Sequence, residues 1–220
     1  MTSKELPKNI KWINAIILIA MAIITVDAIK PWVSWKIDPS ADAYGWNRFS
    51  FFTVQSNFIA AGTYLLAAIS IITNTQLRGW FRYLRGGAVL YMMVTGIVYT
   101  VLLRDTGVNP NPGHFDWSNF ILHQFGPFFI VIWWLLWPSR LAVSSVESLR
   151  WLIFPFLWLI YTFVRASFTG WFPYPFLNPD MVGGAYGVSL YVVGITIFIL
   201  LLSQLLAWIS RARANNHTLY

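Results

Sequence analysis

The fold is best understood from Ser50–Thr73, SFFTVQSNFIAAGTYLLAAISIIT, an apolar segment that is long enough to cross a bilayer. Its first two turns carry a cluster of polar side chains. Thr53, Ser56 and Asn57 follow the spacing i, i+3 and i+4, so they share one face of a helix. Polar groups at membrane depth need partners inside the protein. The segment therefore predicts both a membrane span and a candidate site.

The composition places the whole chain in the same class. Of the 220 residues, 57% are hydrophobic and 10% are charged, whereas about a quarter of the residues in a soluble domain are charged. We predict an all-α polytopic membrane protein, in which residues 1–220 form a single domain of six transmembrane helices. The predicted spans are Trp12–Ile29, Phe49–Thr73, Leu84–Leu103, Asn119–Trp137, Trp151–Phe168 and Ala185–Ile209.

The basic residues predict the orientation of these spans. Ten of the 15 Lys and Arg fall on one side, where Glu5 and Glu147 are the only acids. By the positive-inside rule this side is cytoplasmic, together with both termini. The net charge of +7 is therefore a topology signal, and we expect no nucleic-acid partner. The ten residues are Lys4, Lys8, Lys11, Arg78, Arg82, Arg85, Arg140, Arg150, Arg211 and Arg213.

Short loops and the lack of a recognisable targeting peptide favour a multi-pass protein of the bacterial cytoplasmic (inner) membrane. The predicted topology brings polar residues of several spans to one depth in the outer half of the bilayer. Thr53 and His123 each lie about one turn below the outer surface, because spans two and four enter from outside. Tyr161 and Arg165 lie near the outer end of span five, and Asp27 lies at the outer end of span one.

These polar residues have a catalytic and a structural interpretation. The Thr53 hydroxyl is a candidate nucleophile, and His123, the only histidine inside an apolar segment, can accept a proton near neutral pH. Hydroxyls in spans also commonly bond backbone carbonyls, and a buried histidine can be purely structural. Both interpretations remain open from the sequence.

The residues around this pair have alternative roles as well. Ser56 or Asn57 is a candidate donor to an oxyanion, and the guanidinium of Arg165 suits a substrate carboxylate. Alternatively, Arg165 extends to the outer interface or pairs with Asp27. Tyr161 lies one turn beneath Arg165 and is a candidate substrate contact.

Three further features bear on the site. The run Trp171–Phe176, WFPYPF, favours interfacial anchoring, or alternatively a semi-rigid lid over an outward-facing cavity. Pro127 follows His123 by four residues and should disrupt the helix there. His114, Asp116 and His123 could together bind zinc, but neither an HExxH motif nor an i, i+4 histidine pair is present. We expect no metal and no cofactor.

Four motifs resemble an uncharacterised bacterial group of six-span membrane proteins. That group is in turn remotely similar to the androgen-induced membrane hydrolases of animals, which are threonine hydrolases of fatty acid esters of hydroxy fatty acids. The resemblance implies that Thr53 is the nucleophile and His123 its partner. The motifs are FFTVQSN at Phe51–Asn57, LHxxxP at Leu122–Pro127, YTxVR at Tyr161–Arg165 and GWFPYPF at Gly170–Phe176.

We therefore predict an intramembrane hydrolase of a membrane lipid or fatty-acid ester, with Thr53 as nucleophile and His123 as general base at outer-leaflet depth. The alternative is a non-catalytic protein that binds or transports a lipid or small molecule. The almost wholly apolar cytoplasmic halves of the spans argue against transport. A third interpretation is that the polar groups only join helices.

Overall fold

The structure, a computed structural model, describes residues 7–30, 45–77, 79–104, 115–137 and 142–216. These ranges are helical and contain no strand, and six of their helices are long and apolar enough to cross a membrane, as predicted. The six are α1 Lys8–Ile29, α2 Phe52–Ile72, α3 Trp80–Leu103, α4 Trp117–Leu136, α5 Ser145–Thr169 and α6 Gly184–Asn216.

Four of the six helices extend several residues beyond the predicted spans, whereas α2 is shorter than the predicted Phe49–Thr73. A helix can continue past the hydrocarbon region when its long basic side chains reach the interface. The start of α5 has a capping box, in which the Ser144 hydroxyl accepts from the amide of Glu147 and the Glu147 carboxylate accepts from the amide of Ser144. The differences are α1 from Lys8, α3 from Trp80, α5 from Ser145 and α6 to Asn216.

Two of the helices contain a π-helical turn. One covers Tyr99–Leu103 at the end of α3, and the other covers Ile121–Phe125 within α4. Pro127 has no amide hydrogen to donate to the carbonyl of His123, so the regular ladder of α4 is interrupted there. The disruption predicted at Pro127 thus takes the form of a widened turn that contains His123. Such turns are frequent at functional sites.

Helix α2 lies at the centre of the core. Its small residues allow close approach to α1 and α3, and Ala60, Ala61 and Ala68 are all buried. Tyr64 is fully buried and meets the rings of Phe129 and Trp133 edge-on, with centroid distances of 5.5 and 5.7 Å. This packing places the first turn of α2 inside the bundle, so Thr53 does not face lipid.

Basic residues gather at the end of the bundle opposite Thr53, which we call the arginine end (Arg82, Arg85, Arg150, Arg211 and Arg213). Arg82 and Glu147 form an ion pair, in which Nη2 of Arg82 lies 2.8 Å from Oε1 of Glu147. Arg85 is buried, lies 4.2 Å from the Trp133 ring centroid, and donates to the Trp133 carbonyl near the end of α4. Lys4, Glu5, Arg78 and Arg140 lie outside the described residues, and the orientation of the bundle in the membrane stays a prediction.

The close approach at Gly86 generates a prediction about stability. A Cβ atom on Gly86 would lie 2.1 Å from Cζ2 of Trp151, a buried ring whose Nε1 donates to the Tyr83 carbonyl. We expect Gly86→Ala to lower the free energy of unfolding by about 1–3 kcal/mol, because the anchored ring cannot move aside. The measurement is the midpoint of thermal unfolding in detergent, followed by tryptophan fluorescence.

The matched control for this substitution is Gly194→Ala in α6. Nothing lies within 4 Å of a Cβ atom there, so the change should raise stability by roughly 0.5–1 kcal/mol through better helix propensity. Equal shifts of the midpoint in the two variants would contradict the packing argument.

Candidate functional site

The structure brings Thr53 and His123 together. Oγ1 of Thr53, in the first turn of α2, lies 3.2 Å from Nε2 of His123, in the π-helical turn of α4. Thr53 is 7% exposed and His123 is half-buried. This distance is within hydrogen-bond reach, which is the first geometric requirement for a hydroxyl nucleophile and its base.

The surroundings of His123 determine which ring nitrogen carries the hydrogen. Nδ1 lies 3.2 Å from the carbonyl oxygen of Asn119, one turn earlier on α4. A carbonyl can only accept, so Nδ1–H donates to it. In the neutral imidazole Nε2 is then the acceptor, and the Thr53 hydroxyl donates to it. The arrangement is the one that a general base acting on Thr53 requires.

A second hydroxyl, that of Tyr174, belongs to the same chain of hydrogen bonds. Oη of Tyr174 accepts from the backbone N–H of Thr53 at 3.2 Å and lies 3.3 Å from its Oγ1. The hydroxyl hydrogen of Thr53 is directed at His123, so the hydrogen of Tyr174 is the one donated to Oγ1 of Thr53. Thr53 is therefore held between a donor and an acceptor.

Aromatic packing fixes Tyr174 in this position although it lies in a loop. Its ring stacks on Phe176 at 5.2 Å and meets Phe51 edge-on at 5.5 Å, and the Trp158 ring is 5.9 Å away. Tyr174 is 8% exposed. The run that the sequence assigned to interfacial anchoring or to a lid thus delivers a buried hydroxyl to Thr53.

The imidazole plane is held by Tyr99. Its ring stacks on His123 with a centroid distance of 4.1 Å and an angle of 23° between the planes. The side-chain Nδ2 of Asn119 donates to the Tyr99 hydroxyl at 2.5 Å. The backbone N–H of Asn119 donates to Oδ1 of Asp116 at the start of α4. Asn119 therefore orients His123 twice, through its carbonyl and through Tyr99.

Ser56 and Asn57 lie one turn further along α2 than Thr53 and are buried inside the bundle. Both residues are fully buried. Nδ2 of Asn57 donates to the Thr53 carbonyl at 2.9 Å and to the Leu122 carbonyl at 3.2 Å, so both of its amide hydrogens are engaged. Asn57 joins α2 to the π-helical turn of α4, and the oxyanion role considered from the sequence would require these bonds to break.

Tyr161 and Arg165 fix a neighbouring segment to α5. The Tyr161 hydroxyl lies 2.8 Å from Oγ of Ser50, and Arg165 donates to Oδ1 of Asn47. Both partners belong to the short helical segment Gly45–Ser50, which leads into α2. These contacts position the chain just before Thr53.

Asp27 does not take part in this arrangement. Its side chain is exposed near the end of α1, and no ion pair joins it to Arg165 in the described part of the chain. The guanidinium of Arg165 instead lies 4.7 Å from the ring centroid of Trp171, a cation–π distance. The pairing of Arg165 with Asp27 considered from the sequence is therefore wrong.

Thr53 faces a cavity of about 380 Å³ between α3, α5 and α6. Its polar lining at this end consists of the hydroxyls of Thr53, Thr95, Tyr99 and Tyr174, and the remainder is apolar apart from Thr196. The Thr95 hydroxyl is buried without a hydrogen-bond partner. None of the described residues that line the cavity is charged. The cavity suits a neutral ligand with a long apolar portion and a polar group at the Thr53 end.

His123 also borders a second space, a groove of about 440 Å³ on the other side of α3. Gln124 and Thr100 contribute its polar groups, and Gly96 and Pro127 form part of its wall. Within the described residues, no three His, Asp or Glu side chains are grouped as a metal site would need. His114, considered from the sequence as a ligand, lies outside the described residues.

Sequence reasoning missed Tyr174 and Thr95. Tyr174 is 121 residues from Thr53, and its loop is rich in aromatic residues that are common at membrane interfaces. Thr95 is a single hydroxyl in a span, and only the structure shows that it lines the cavity and has no hydrogen-bond partner among the described residues. The one available signal was the position of Tyr174 in a motif that also contains two prolines, which restrict the loop.

No protein-family model, no curated protein and no solved structure matches this chain. The motif resemblance noted above therefore stays a prediction, and the geometry alone carries the functional argument.

The hydrogen-bond chain predicts the tautomer of His123. In the variant His114→Gln/His217→Gln, the remaining imidazole should be neutral with its hydrogen on Nδ1, because the Asn119 carbonyl accepts it. Side-chain ¹⁵N NMR of the protein in detergent distinguishes the two tautomers. The Thr53→Ala variant is the control and should keep the Nδ1–H form, and a hydrogen on Nε2 in both proteins would refute the assignment.

Proposed function

We propose that this protein is an intramembrane ester hydrolase in which Thr53 is the nucleophile and His123 the general base. The observation that carries the proposal is the 3.2 Å approach of Oγ1 of Thr53 to Nε2 of His123, with Nδ1–H directed at a carbonyl. Thr53 borders an apolar cavity of about 380 Å³, which supplies a site for an acyl chain, and His123 borders the groove on the other side of α3.

In the first step Oγ1 of Thr53 attacks the ester carbonyl carbon while its proton passes to Nε2 of His123. The tetrahedral intermediate collapses when the bond to the leaving oxygen breaks. His123 returns the proton to that oxygen, so an alcohol leaves and an acyl-Thr53 ester remains. The Asn119 carbonyl keeps the imidazolium in the required orientation during the transfer.

The oxyanion needs hydrogen-bond donors near the cavity, and we assign this role to the hydroxyls of Tyr174 and Thr95, two residues of the cavity lining. When Thr53 loses its proton and becomes an ester oxygen, the Tyr174 O–H is released from it and can turn to the developing charge. The Thr95 hydroxyl has no partner to give up. Both residues line the cavity that Thr53 borders, and the low dielectric there strengthens such hydrogen bonds once the Thr95 hydroxyl, which is buried in this structure, turns to the ligand.

In the second step water attacks the acyl-Thr53 carbonyl and gives its proton to His123. The bond to Oγ1 of Thr53 breaks, the proton returns to Oγ1, and a carboxylic acid is released. The groove that contains His123, Gln124 and Thr100 offers this water a path that the acyl chain does not occupy.

The proposed substrate class is a neutral lipid or fatty-acid ester. Arg165, which was considered as a carboxylate site, is engaged with Asn47 and Trp171 and is absent from the cavity lining. We assign it the role of positioning the segment before α2. The predicted orientation puts the reaction at outer-leaflet depth in a bacterial inner membrane.

The first test of this proposal is turnover of a long-chain fluorogenic ester by purified protein in nanodiscs. We expect His123→Ala to lower kcat by roughly 10²–10⁴-fold, because proton transfer is lost, and Thr53→Ala to remove turnover. Thr63→Ala is the matched control: it removes a buried hydroxyl of the same helix whose Oγ1 bonds only the Ile59 carbonyl. A fluorophosphonate probe should label Thr53, as located by mass spectrometry.

The second test concerns the role of Tyr174. Tyr174→Phe keeps the aromatic packing but removes the donor, so kcat should fall about 10²-fold with KM little changed. Tyr161→Phe is the control, because that hydroxyl bonds Ser50 outside the cavity. A loss of the same size in both variants would mean that the Tyr174 hydroxyl, like that of Tyr161, only positions the backbone near Thr53.

One observation favours a second candidate, a non-catalytic lipid-binding protein. A mostly apolar cavity whose lining includes Thr53, Thr95 and Tyr174 can bind a lipid with an ester or alcohol group without reacting with it. Lipid that co-purifies intact with the protein, with no labelling of Thr53 and no turnover, would favour this candidate over the hydrolase.

A further inference from the structure

The cavity next to Thr53 is closed at the Thr53 end of the bundle. Tyr174, Phe176 and Leu177 line it there and are 8%, 8% and 2% exposed. Phe176 also packs against Tyr191 of α6 at 5.8 Å, which joins the loop to the last helix. A substrate therefore does not reach Thr53 along the direction of the loop.

The same cavity is open at its side, between α5 and α6. Leu149, Ile153 and Phe156 line it, although they are 44%, 56% and 63% exposed. Their spacing of four and then three residues gives one stripe along α5. A side chain that borders a cavity and is also largely exposed marks the rim of an opening.

Helix α6 supplies the facing rim. Val192, Ile195, Thr196 and Ile199 follow the same helical spacing and line the same cavity. Thr196 is exposed, and its hydroxyl donates to the Val192 carbonyl, so the rim presents no free polar group at that position. We call the opening between these two stripes the α5–α6 slit.

The setting determines what fills such a slit. Both rims lie within candidate membrane spans, so the neighbouring medium is hydrocarbon. An apolar cavity gains little from water, whereas a hydrocarbon chain makes close contacts with its aliphatic walls. The distance along α5 from Leu149 to Trp158 is roughly 14 Å, so an acyl chain can run from Thr53 to the slit.

We propose that the α5–α6 slit is a lateral portal through which the acyl chain of a bilayer-resident ester reaches Thr53. The inference rests on the proposed hydrolase function and adds the substrate class. The ester group lies at Thr53, the unbranched acyl chain fills the cavity, and the end of the chain extends through the slit into the bilayer. The cavity therefore sets no upper limit to the acyl chain length.

The test narrows the slit from each side and compares chains that do and do not reach it. Ile153→Trp and Thr196→Phe add bulk to the rims, and Leu157→Trp and Val193→Phe are matched controls at exposed neighbours outside the lining. With 4-methylumbelliferyl palmitate in nanodiscs, we expect the rim variants to lose about tenfold in kcat/KM. With the butyrate ester they should stay within about twofold of the unmodified protein.

A binding measurement separates this inference from the hydrolase proposal. Methyl palmitate with a terminal diazirine, a neutral ester, is added to phosphatidylglycerol vesicles that contain the protein and should cross-link to α5 and α6 at the slit, also in Thr53→Ala. The two rim variants should reduce this cross-linking and the two controls should not. Absence of ester turnover together with cross-linking at the slit would refute the hydrolase but support the portal.

Two outcomes would overturn the portal. One is cross-linking that is equal in the rim and control variants. The other is an equal loss of palmitate turnover in rim and control variants, with butyrate affected as strongly as palmitate.

Discussion

The arrangement at Thr53 depends on one constraint: a polar group at membrane depth must find its hydrogen-bond partner inside the protein. Five groups are joined in sequence by four hydrogen bonds. The Thr53 amide donates to Tyr174, Tyr174 donates to the Thr53 hydroxyl, that hydroxyl donates to His123, and His123 donates to the Asn119 carbonyl. The last acceptor is a carbonyl, which can only accept, and this determines which group is the donor in each of the preceding hydrogen bonds. The constraint joins α2, α4 and the last loop at one place.

Backbone irregularity makes this junction possible. His123 lies in a π-helical turn. The carbonyl of His123 has no regular i+4 partner, since Pro127 lacks an amide hydrogen. Helix α3 must approach this turn closely to bring Tyr99 onto the imidazole. Gly96 permits that approach, because a Cβ atom there would lie 3.0 Å from Cβ of Pro127 and 3.2 Å from the His123 carbonyl oxygen. Proline and glycine on facing helices therefore position the imidazole against Tyr99.

The six helices were predictable because apolar length is a local property of the sequence. Each helix overlaps its predicted span, although four helices extend further and α2 begins at Phe52 and not at Phe49. The meeting of Thr53 and His123 was predictable from polarity and depth. The partners that orient them were not. Tyr174 reaches the site through loop packing, and Asn119 acts through its carbonyl, which no side-chain pattern reveals. Asn57 shares a helix face with Thr53, but facing in a common direction does not determine whether its donors point to a cavity or to a neighbouring backbone.

The two ends of the bundle use different electrostatics, and the difference limits the chemistry. The arginine end contains charged groups that are held by carbonyls, aromatic rings and Glu147. The hydrogen-bond chain at Thr53 contains only neutral hydroxyls, an imidazole and a carbonyl, while Arg165 at the same end is engaged with Asn47 and Trp171. Charge inside this chain is costly unless its counter-charge is adjacent. Proton transfer from Thr53 to His123 creates an imidazolium beside an oxyanion, so the two charges appear together and disappear together. An ester suits this cycle because its reactants are neutral and the leaving alkoxide takes the proton back at once. A carboxylate beside Thr53 would add a charge that the cavity lining has no cation to offset, which favours a neutral ester over an anionic head group at this site.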